Sequence, residues 1–138
     1  MSKTHSIPAA GSIAIEDLTG GEVLRVPTDA TVADVATLIS KLNVGAVVVG
    51  DADRPSGLIT ERDVVRVVAG GENPSAVSAL DVASRNLVWC EADETVAQAA
   101  IRMTDRSIRH LLVERDGALV GIVSARDLLG VYATDAAL

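Results

Sequence analysis

Two short stretches of this sequence carry residues that could hold a ligand. Residues 57–63, Gly-Leu-Ile-Thr-Glu-Arg-Asp, return as residues 121–127, Gly-Ile-Val-Ser-Ala-Arg-Asp. Each copy reads as the end of a buried strand, a hydroxyl residue at the turn, and an Arg-Asp pair that opens an apolar helix. The N–H groups and the dipole of a helix N-terminus attract anions. The carboxylate beside them can accept strong hydrogen bonds from a sugar diol.

The same spacing also fits a purely structural role. Thr60 with Asp63, and Ser124 with Asp127, match the capping box in which a hydroxyl and an acid satisfy the first N–H groups of a helix. The two roles are compatible, and the spacing alone does not choose between them.

The composition limits the fold to a small α/β class. The chain has 138 residues, 49% of them apolar, but no Phe, one Trp and one Tyr. The core must therefore be built from Val, Ala, Leu and Ile, which suits short strands and helices packed in layers. A chain of this length forms one domain or two very small ones.

Charge and cysteine content exclude several partners. A formal net charge of −7 argues against a nucleic-acid backbone or an anionic membrane surface as the main partner. The single cysteine, Cys90, allows no intramolecular disulfide and fits a reducing compartment. No apolar run reaches the length of a membrane span, and the first residues lack the apolar stretch of a secretion signal. We expect a cytoplasmic protein.

The apolar patterning predicts the same order of elements twice. In the first half these are a short helix (residues 13–18), a strand (23–26), a helix that begins at residue 31, two strands joined by a hairpin (46–49 and 56–59) and a second helix (60–69). A shift of 64 residues aligns the second half with the first without a gap. Each of two such copies leaves an apolar face that only its twin can cover. The repeat predicts a closed pair related by a pseudo-twofold axis.

The order β–α–β–β–α in two copies, each ending Gly-apolar-apolar-Thr/Ser-x-x-Asp, resembles the tandem CBS-domain (Bateman) module. The resemblance covers about residues 13–133. It implies an α/β (α+β) fold in which the two sheets pack against each other and leave two clefts between the repeats. We accordingly expect a first repeat (residues 13–69), a linker (70–77) and a second repeat (78–133), with loose termini at residues 1–12 and 134–138.

The resemblance also implies adenosine-containing ligands such as AMP, ADP, ATP or S-adenosylmethionine. In the family the motif Asp holds the ribose hydroxyls, and the Thr or Ser lies near ribose or phosphate, facing residues of the partner repeat. Carried over, the first cleft uses Leu58, Thr60, Asp63, Val88, Cys90, Ile108, Arg109, His110 and Arg126. The second cleft uses Ile122, Ser124, Asp127, Arg62, Val44, Gly45 and Ala46.

The two expected clefts differ in charge. Arg109 and His110 align with Gly45 and Ala46, so the cleft containing Asp63 has a basic pair that the other cleft lacks. We therefore expect nucleotide phosphates to bind better in the Asp63 cleft.

No pattern of catalytic or metal-ligating residues accompanies the motifs. The sequence has no Gly-x-x-x-x-Gly-Lys-Ser/Thr loop, and His5, His110 and Cys90 form no recognisable metal pattern. We expect a non-catalytic regulatory module that senses an adenine nucleotide and needs no cofactor or metal. A ligand-independent interaction module with vestigial clefts, and a small enzyme acting on a nucleotide, are the alternatives.

The helices that follow the motifs carry more apolar residues than two short helices need: Val64, Val65, Val67, Val68, Leu128, Leu129 and Val131. By resemblance, such helices pair across a dimer. We expect a homodimer that passes its signal to a client protein which the sequence does not identify.

Overall fold

The computed structural model describes residues 10–19 and 23–137, and its contacts divide the chain into two compact units. The central unit is Val23–Leu87. The terminal unit joins the residues before Val23 to those from Val88 onward. Each unit contains one three-stranded sheet.

The central unit is organised around its middle strand. Its elements are β1 (Arg25–Val26), α1 (Val32–Leu42), β2 (Ala46–Val49), β3 (Gly57–Thr60), α2 (Glu61–Ala69), a 3-10 turn (Pro74–Ala76) and α3 (Ala79–Val82). β2 lies in the middle of the sheet, parallel to β1 and antiparallel to β3. The expected hairpin between β2 and β3 is confirmed.

Local sequence signals set both ends of α1. The Thr31 N–H donates to Asp34 Oδ2 at 2.9 Å, and the Asp34 N–H donates to Thr31 Oγ1 at 3.2 Å, which completes a capping box. Asn43 ends the helix with φ of 54°, a left-handed conformation that Asn tolerates well.

Alternation along the strands turns one face of the sheet toward the helices. Val47 and Ile59 are fully buried in a cluster that also contains Val35 of α1 and Val67 of α2. Val48, on the opposite face of β2, is fully buried as well. β2 is therefore buried on both faces, as its unbroken β-branched run predicts.

The terminal unit repeats this order of elements. It contains 3-10 turns at Ala10–Ser12 and Ile15–Asp17, then β4 (Trp89–Glu91), α4 (Val96–Arg106), β5 (His110–Arg115), β6 (Ala118–Ser124) and α5 (Ala125–Ala137). β5 is parallel to β4 and antiparallel to β6. Asp116 and Gly117, with φ of 55° and 81°, make the tight turn between β5 and β6. The expected α/β class, with two sheets and the same strand order in each, is confirmed.

A short segment from the first repeat completes the terminal unit. The Ile15 N–H donates to the Glu94 carbonyl at 2.8 Å, and the Val96 N–H donates to the Ile13 carbonyl at 2.9 Å. Ile15 is fully buried in the core of this unit. The sequence pattern assigns this segment to the first repeat, whereas its contacts are with the body of the second.

The central unit is completed in the same way by the second repeat. The Ala79 N–H donates to the Ala30 carbonyl, and the Val32 N–H donates to the Val77 carbonyl, both at 2.9 Å. Ala79 is fully buried there. These four residues lie 64 positions away from their counterparts in the terminal unit, so the exchange of leading segments is reciprocal.

The glycine that opens each repeated motif, Gly57 or Gly121, allows the exchanged chain to lie against the sheet. A Cβ atom added to Gly121 would lie 2.8 Å from Thr19 Cβ, and one added to Gly57 would lie 3.0 Å from Ala83 Cβ. Thr19 and Ala83 follow directly after the exchanged segments. The glycines thus serve close backbone approach within each unit.

Three segments are more ordered than the sequence predicts. Ala10–Ser12 and Pro74–Ala76 form 3-10 turns, and α5 continues to Ala137. The sequence predicts a loose terminus, a linker and a second loose terminus for these residues. Their lack of apolar periodicity concealed contacts with α4 and α1 that are distant in sequence. Residues 1–9 and 138 of the expected loose termini lie outside the described residues.

Within the described part of the chain, no helix is both long enough and apolar enough to cross a membrane.

Candidate functional site

Thr60 and Asp63 form the capping box of α2. The Thr60 N–H and hydroxyl donate to Asp63 Oδ2 at 2.8 and 3.1 Å, and the Asp63 N–H donates to Thr60 Oγ1 at 3.4 Å. The capping role of the motif is therefore confirmed. Because the cap uses only Oδ2, the other carboxylate oxygen remains for a further donor.

Ser124 and Asp127 make the equivalent cap at the start of α5. The Ser124 N–H donates to Asp127 Oδ2 at 2.8 Å, and the Asp127 N–H donates to Ser124 Oγ at 3.0 Å. Asp127 is exposed, whereas the side chain of Asp63 is only 16% exposed. The two motif acids share their capping geometry and differ in their access to solvent.

The first N–H group of each motif helix is already hydrogen-bonded. The Glu61 N–H donates to the Gly45 carbonyl at 3.1 Å, and the Ala125 N–H donates to the Arg109 carbonyl at 2.8 Å. The N–H groups of the two motif acids are taken by the capping hydroxyls. The expectation of free N–H groups at this turn is therefore wrong for two of the first three, because caps and the neighbouring chain satisfy them. An anion there would depend on the helix dipole and on nearby arginines.

The residues that lead into each middle strand lie beside the motif of their own unit. Ala46 pairs with Thr60, and His110 pairs with Ser124. Residues 44–46 and 108–110 are thus neighbours of Thr60 and Ser124, respectively. The antiparallel register of the hairpin is the sequence signal for this placement, which was not predicted. The combination of Arg109 and His110 with Asp63 takes residues from both units and stays a prediction.

The apolar motif residue Leu58 has no free backbone groups. It exchanges two hydrogen bonds of 2.9 Å with Ser84, one in each direction. Only its side chain, which is buried, could line a binding site. Ile122 holds the equivalent position in β6 and pairs with Leu112.

The side chains of Val88 and Cys90 face the core of the terminal unit. Cys90 is 2% exposed, and burial, with a further contribution from the Glu94 carboxylate, raises the pKa of its thiol to about 12. Val88 packs against the same core. A contact of Val88 and Cys90 with a ligand stays a prediction, and the burial of the Cys90 side chain leaves only backbone groups of that residue for it. Trp89 lies between them on the opposite face of β4, and strand alternation could have indicated it.

Arg102 of α4 fixes the start of β4. Its guanidinium donates to the Trp89 carbonyl at 2.8 Å and to both carboxylate oxygens of Glu94, at 2.5 and 3.1 Å. Burial would raise the pKa of Glu94, but hydrogen bonds from Arg102 and from the Glu91 N–H outweigh it and lower that pKa. The pair holds the backbone of Trp89 in place. No comparable feature was predicted from the sequence.

Three arginines lie on the helices that carry the motifs. Arg62 and Arg126 are exposed at the second helical position, which fits both solvated helix residues and contacts with a ligand. Arg66, one turn further along α2, approaches Asp63 Oδ1 with Nη1 at 3.4 Å. Arg66 was not predicted from the sequence.

Among residues 10–19 and 23–137, no group of three His, Cys, Asp or Glu side chains is arranged to hold a metal ion.

Comparison with known proteins assigns the family. The model of the CBS domain matches residues 15–70 and again residues 79–134. The chain therefore belongs to the CBS-domain family and carries two CBS domains in tandem.

The relatives in sequence are longer than this chain. A protein of Methanopyrus kandleri is 38% identical over 126 residues, covering 89% of this chain and 62% of that protein. A mitochondrial CBS domain-containing protein of Arabidopsis thaliana is 33% identical over 115 residues, covering 79% of this chain and 56% of that protein. The chain thus spans less than two thirds of either relative.

Solved structures of similar length share the fold. A CBS-domain containing protein from Agrobacterium tumefaciens matches with a TM-score of 0.78 and 34% identity, over 87% of this chain and 93% of that one. A CBS domain protein from Pyrobaculum aerophilum, complexed with AMP, matches with a TM-score of 0.76 and 30% identity, over 88% of this chain and 99% of that one.

Proposed function

We propose that this chain is a non-catalytic regulatory module that binds an adenosine-containing nucleotide at its Thr/Ser-x-x-Asp motifs. The proposal rests on one observation, which is that the two oxygens of each motif carboxylate can serve different roles. One oxygen caps the helix and fixes the side chain, so the other can accept hydrogen bonds from a ribose diol. The AMP complex of the Pyrobaculum aerophilum relative supports an adenylate as ligand.

The ligand class is AMP, ADP, ATP or S-adenosylmethionine. The proposed contacts of the first site are Leu58, Thr60, Asp63, Ile108, Arg109, His110 and Arg126, with backbone groups of Val88 and Cys90. Those of the second are Ile122, Ser124, Asp127, Arg62, Val44, Gly45 and Ala46. The first set contains three basic residues and the second contains one, which favours phosphate binding at the first site.

The test is calorimetric titration of AMP, ATP and S-adenosylmethionine into the wild type, Asp63→Ala and Asp127→Ala. We expect Asp63→Ala to weaken AMP binding by about tenfold or more, since charge-assisted hydrogen bonds contribute about 1.5–3 kcal/mol. Asp127→Ala should weaken AMP binding less. The reverse order would contradict the proposed ranking of the two motifs.

Asp34→Ala is the matched control. Asp34 caps α1 with the same geometry but belongs to neither motif. We expect it to lower stability by about 1 kcal/mol, as loss of a cap does, and to leave AMP affinity unchanged. Equal losses of affinity in Asp34→Ala and Asp63→Ala would mean that the motif only caps its helix and does not bind the ligand.

A second candidate function is a ligand-independent interaction module. Four large apolar side chains are 42–69% exposed on the two motif helices, at Val65, Val68, Leu129 and Tyr132. The second pair lies 64 residues after the first, so both units expose apolar surface at the same helical positions. A folded homodimer that binds none of the three ligands would favour this candidate.

Both candidates assign the output to assembly or to a client protein. We expect the module to act in the cytoplasm, in keeping with its one thiol.

A further inference from the structure

Arg66 contacts Oδ1 of Asp63, the carboxylate oxygen that the helix cap does not use. Oδ2 already accepts the N–H and the hydroxyl of Thr60, while Arg66 Nη1 lies 3.4 Å from Oδ1. The side chain of Arg66 is 70% exposed and that of Asp63 is 16% exposed. A ribose hydroxyl that approached Asp63 would therefore compete with an exposed guanidinium for Oδ1.

The position equivalent to Arg66 in the terminal unit does not carry a cation. The residue 64 positions after Arg66 is Gly130, three residues after Asp127. A Cβ atom added at Gly130 would find no atom within 4 Å, so the helix surface has room for a side chain. The difference between the motifs thus lies in the residue type and not in the space around it.

We infer that Arg66 selects for ligand charge at the Asp63 motif, favouring a nucleoside phosphate over the uncharged nucleoside. The inference rests on the proposed function, because it concerns the same site. A nucleoside offers the displaced guanidinium no new partner, whereas a phosphate returns two parallel charge-assisted hydrogen bonds. The Asp127 motif, with Gly130 in place of the arginine, does not discriminate in this way.

The expected size of the effect is modest. Arg66 is exposed, and ion pairs of exposed side chains are weakened by water and by side-chain entropy. Removing the guanidinium frees Asp63 for the diol of either ligand, and it also removes a partner for the phosphate of AMP. Only the second of these contributions changes the ratio of the two affinities.

The test compares adenosine with AMP in a variant that retains one motif. Calorimetry on Asp127→Ala, with and without Arg66→Gln, gives the ratio of the Kd for adenosine to the Kd for AMP. We expect Arg66→Gln to lower this ratio by roughly two- to tenfold, with tighter binding of adenosine and weaker binding of AMP. Arg106→Gln removes the same charge from an exposed position on α4 and should leave the ratio unchanged.

The reciprocal variant transfers the selection to the other motif. In an Asp63→Ala background, Gly130→Arg should raise the ratio, and Gly130→Gln controls for replacement of the glycine. Binding of both ligands with a ratio that is insensitive to residues 66 and 130 would overturn the inference and leave the proposed function standing. Failure of wild-type protein to bind either ligand would overturn both.

Discussion

The Asp63 carboxylate serves helix capping and ligand recognition through different oxygen atoms. Capping is worth about 1 kcal/mol and orients the side chain before any ligand arrives. As a result, most backbone N–H groups near the motif already donate hydrogen bonds within the protein. Recognition must therefore come from side chains, so the arginines around the motif matter more than the helix N-terminus itself.

Glu91 and Glu114 place two carboxylates opposite one another where β4 and β5 are paired. Reduced hydration of Glu91, followed by the negative charge of Glu114, raises the pKa of Glu91, and Asp93 and Glu94 add to the shift. A raised pKa in the folded protein means that ionisation of Glu91 opposes folding. The penalty is absent below the ordinary value of 4.5 and grows as the pH rises through the raised value.

We expect Glu91→Gln to melt at a higher temperature than the wild type at pH 7 and at the same temperature at pH 3.5. Thermal unfolding followed by circular dichroism across this range measures the difference. Glu72→Gln, which removes a carboxylate from an exposed turn, is the control for net charge. A Glu91→Gln advantage that is as large at pH 3.5 as at pH 7 would exclude ionisation of Glu91 as its cause.

For helices and strands, a feature can be predicted from the sequence when the residues that cause it lie close to it in the chain. Thr31 and Asn43 indicate the two ends of α1 in the sequence, because each caps the helix through residues that are close to it in the chain. The orientation of Cys90 and the order of Pro74–Ala76 were not predicted, because both depend on chain packed from far away in sequence. The motif acids were found by their repetition, but Arg66 was missed because its twin is a glycine.

Two glycines of the terminal unit should respond in opposite directions to the same substitution. Gly121→Ala brings a methyl group to 2.8 Å from Thr19 Cβ, and we expect a loss of about 1–3 kcal/mol from this overpacking. Gly130→Ala adds a methyl group in open space within α5, and we expect a gain of up to about 1 kcal/mol from helix propensity. Urea denaturation measures both. Equal effects of the two substitutions would contradict the close approach at Gly121.

At the scale of the whole molecule, the apolar side chains repeated on α2 and α5 predict self-association. We expect the wild type to be a homodimer, and Val65→Lys with Val68→Lys to lower the dimer fraction, since two buried charges would replace two apolar contacts. Light scattering coupled to size-exclusion chromatography measures the mass. Ile101→Lys, at another exposed apolar position on α4, is the control. A monomeric wild type, or a variant dimer as stable as the parent, would contradict this use of the helices.

The reciprocal exchange of leading segments has a consequence for synthesis on the ribosome. Every residue of the central unit has been made once Leu87 has emerged, whereas the terminal unit needs both Ile15, which precedes the central unit, and α5, which follows it. The apolar Ile15 segment therefore stays uncovered until the strands and helices after Leu87 have been made. Folding of the terminal unit closes a loop that encloses the central unit's sequence, and nascent chains should pass through a half-folded stage in which chaperones or stray partners compete for that segment.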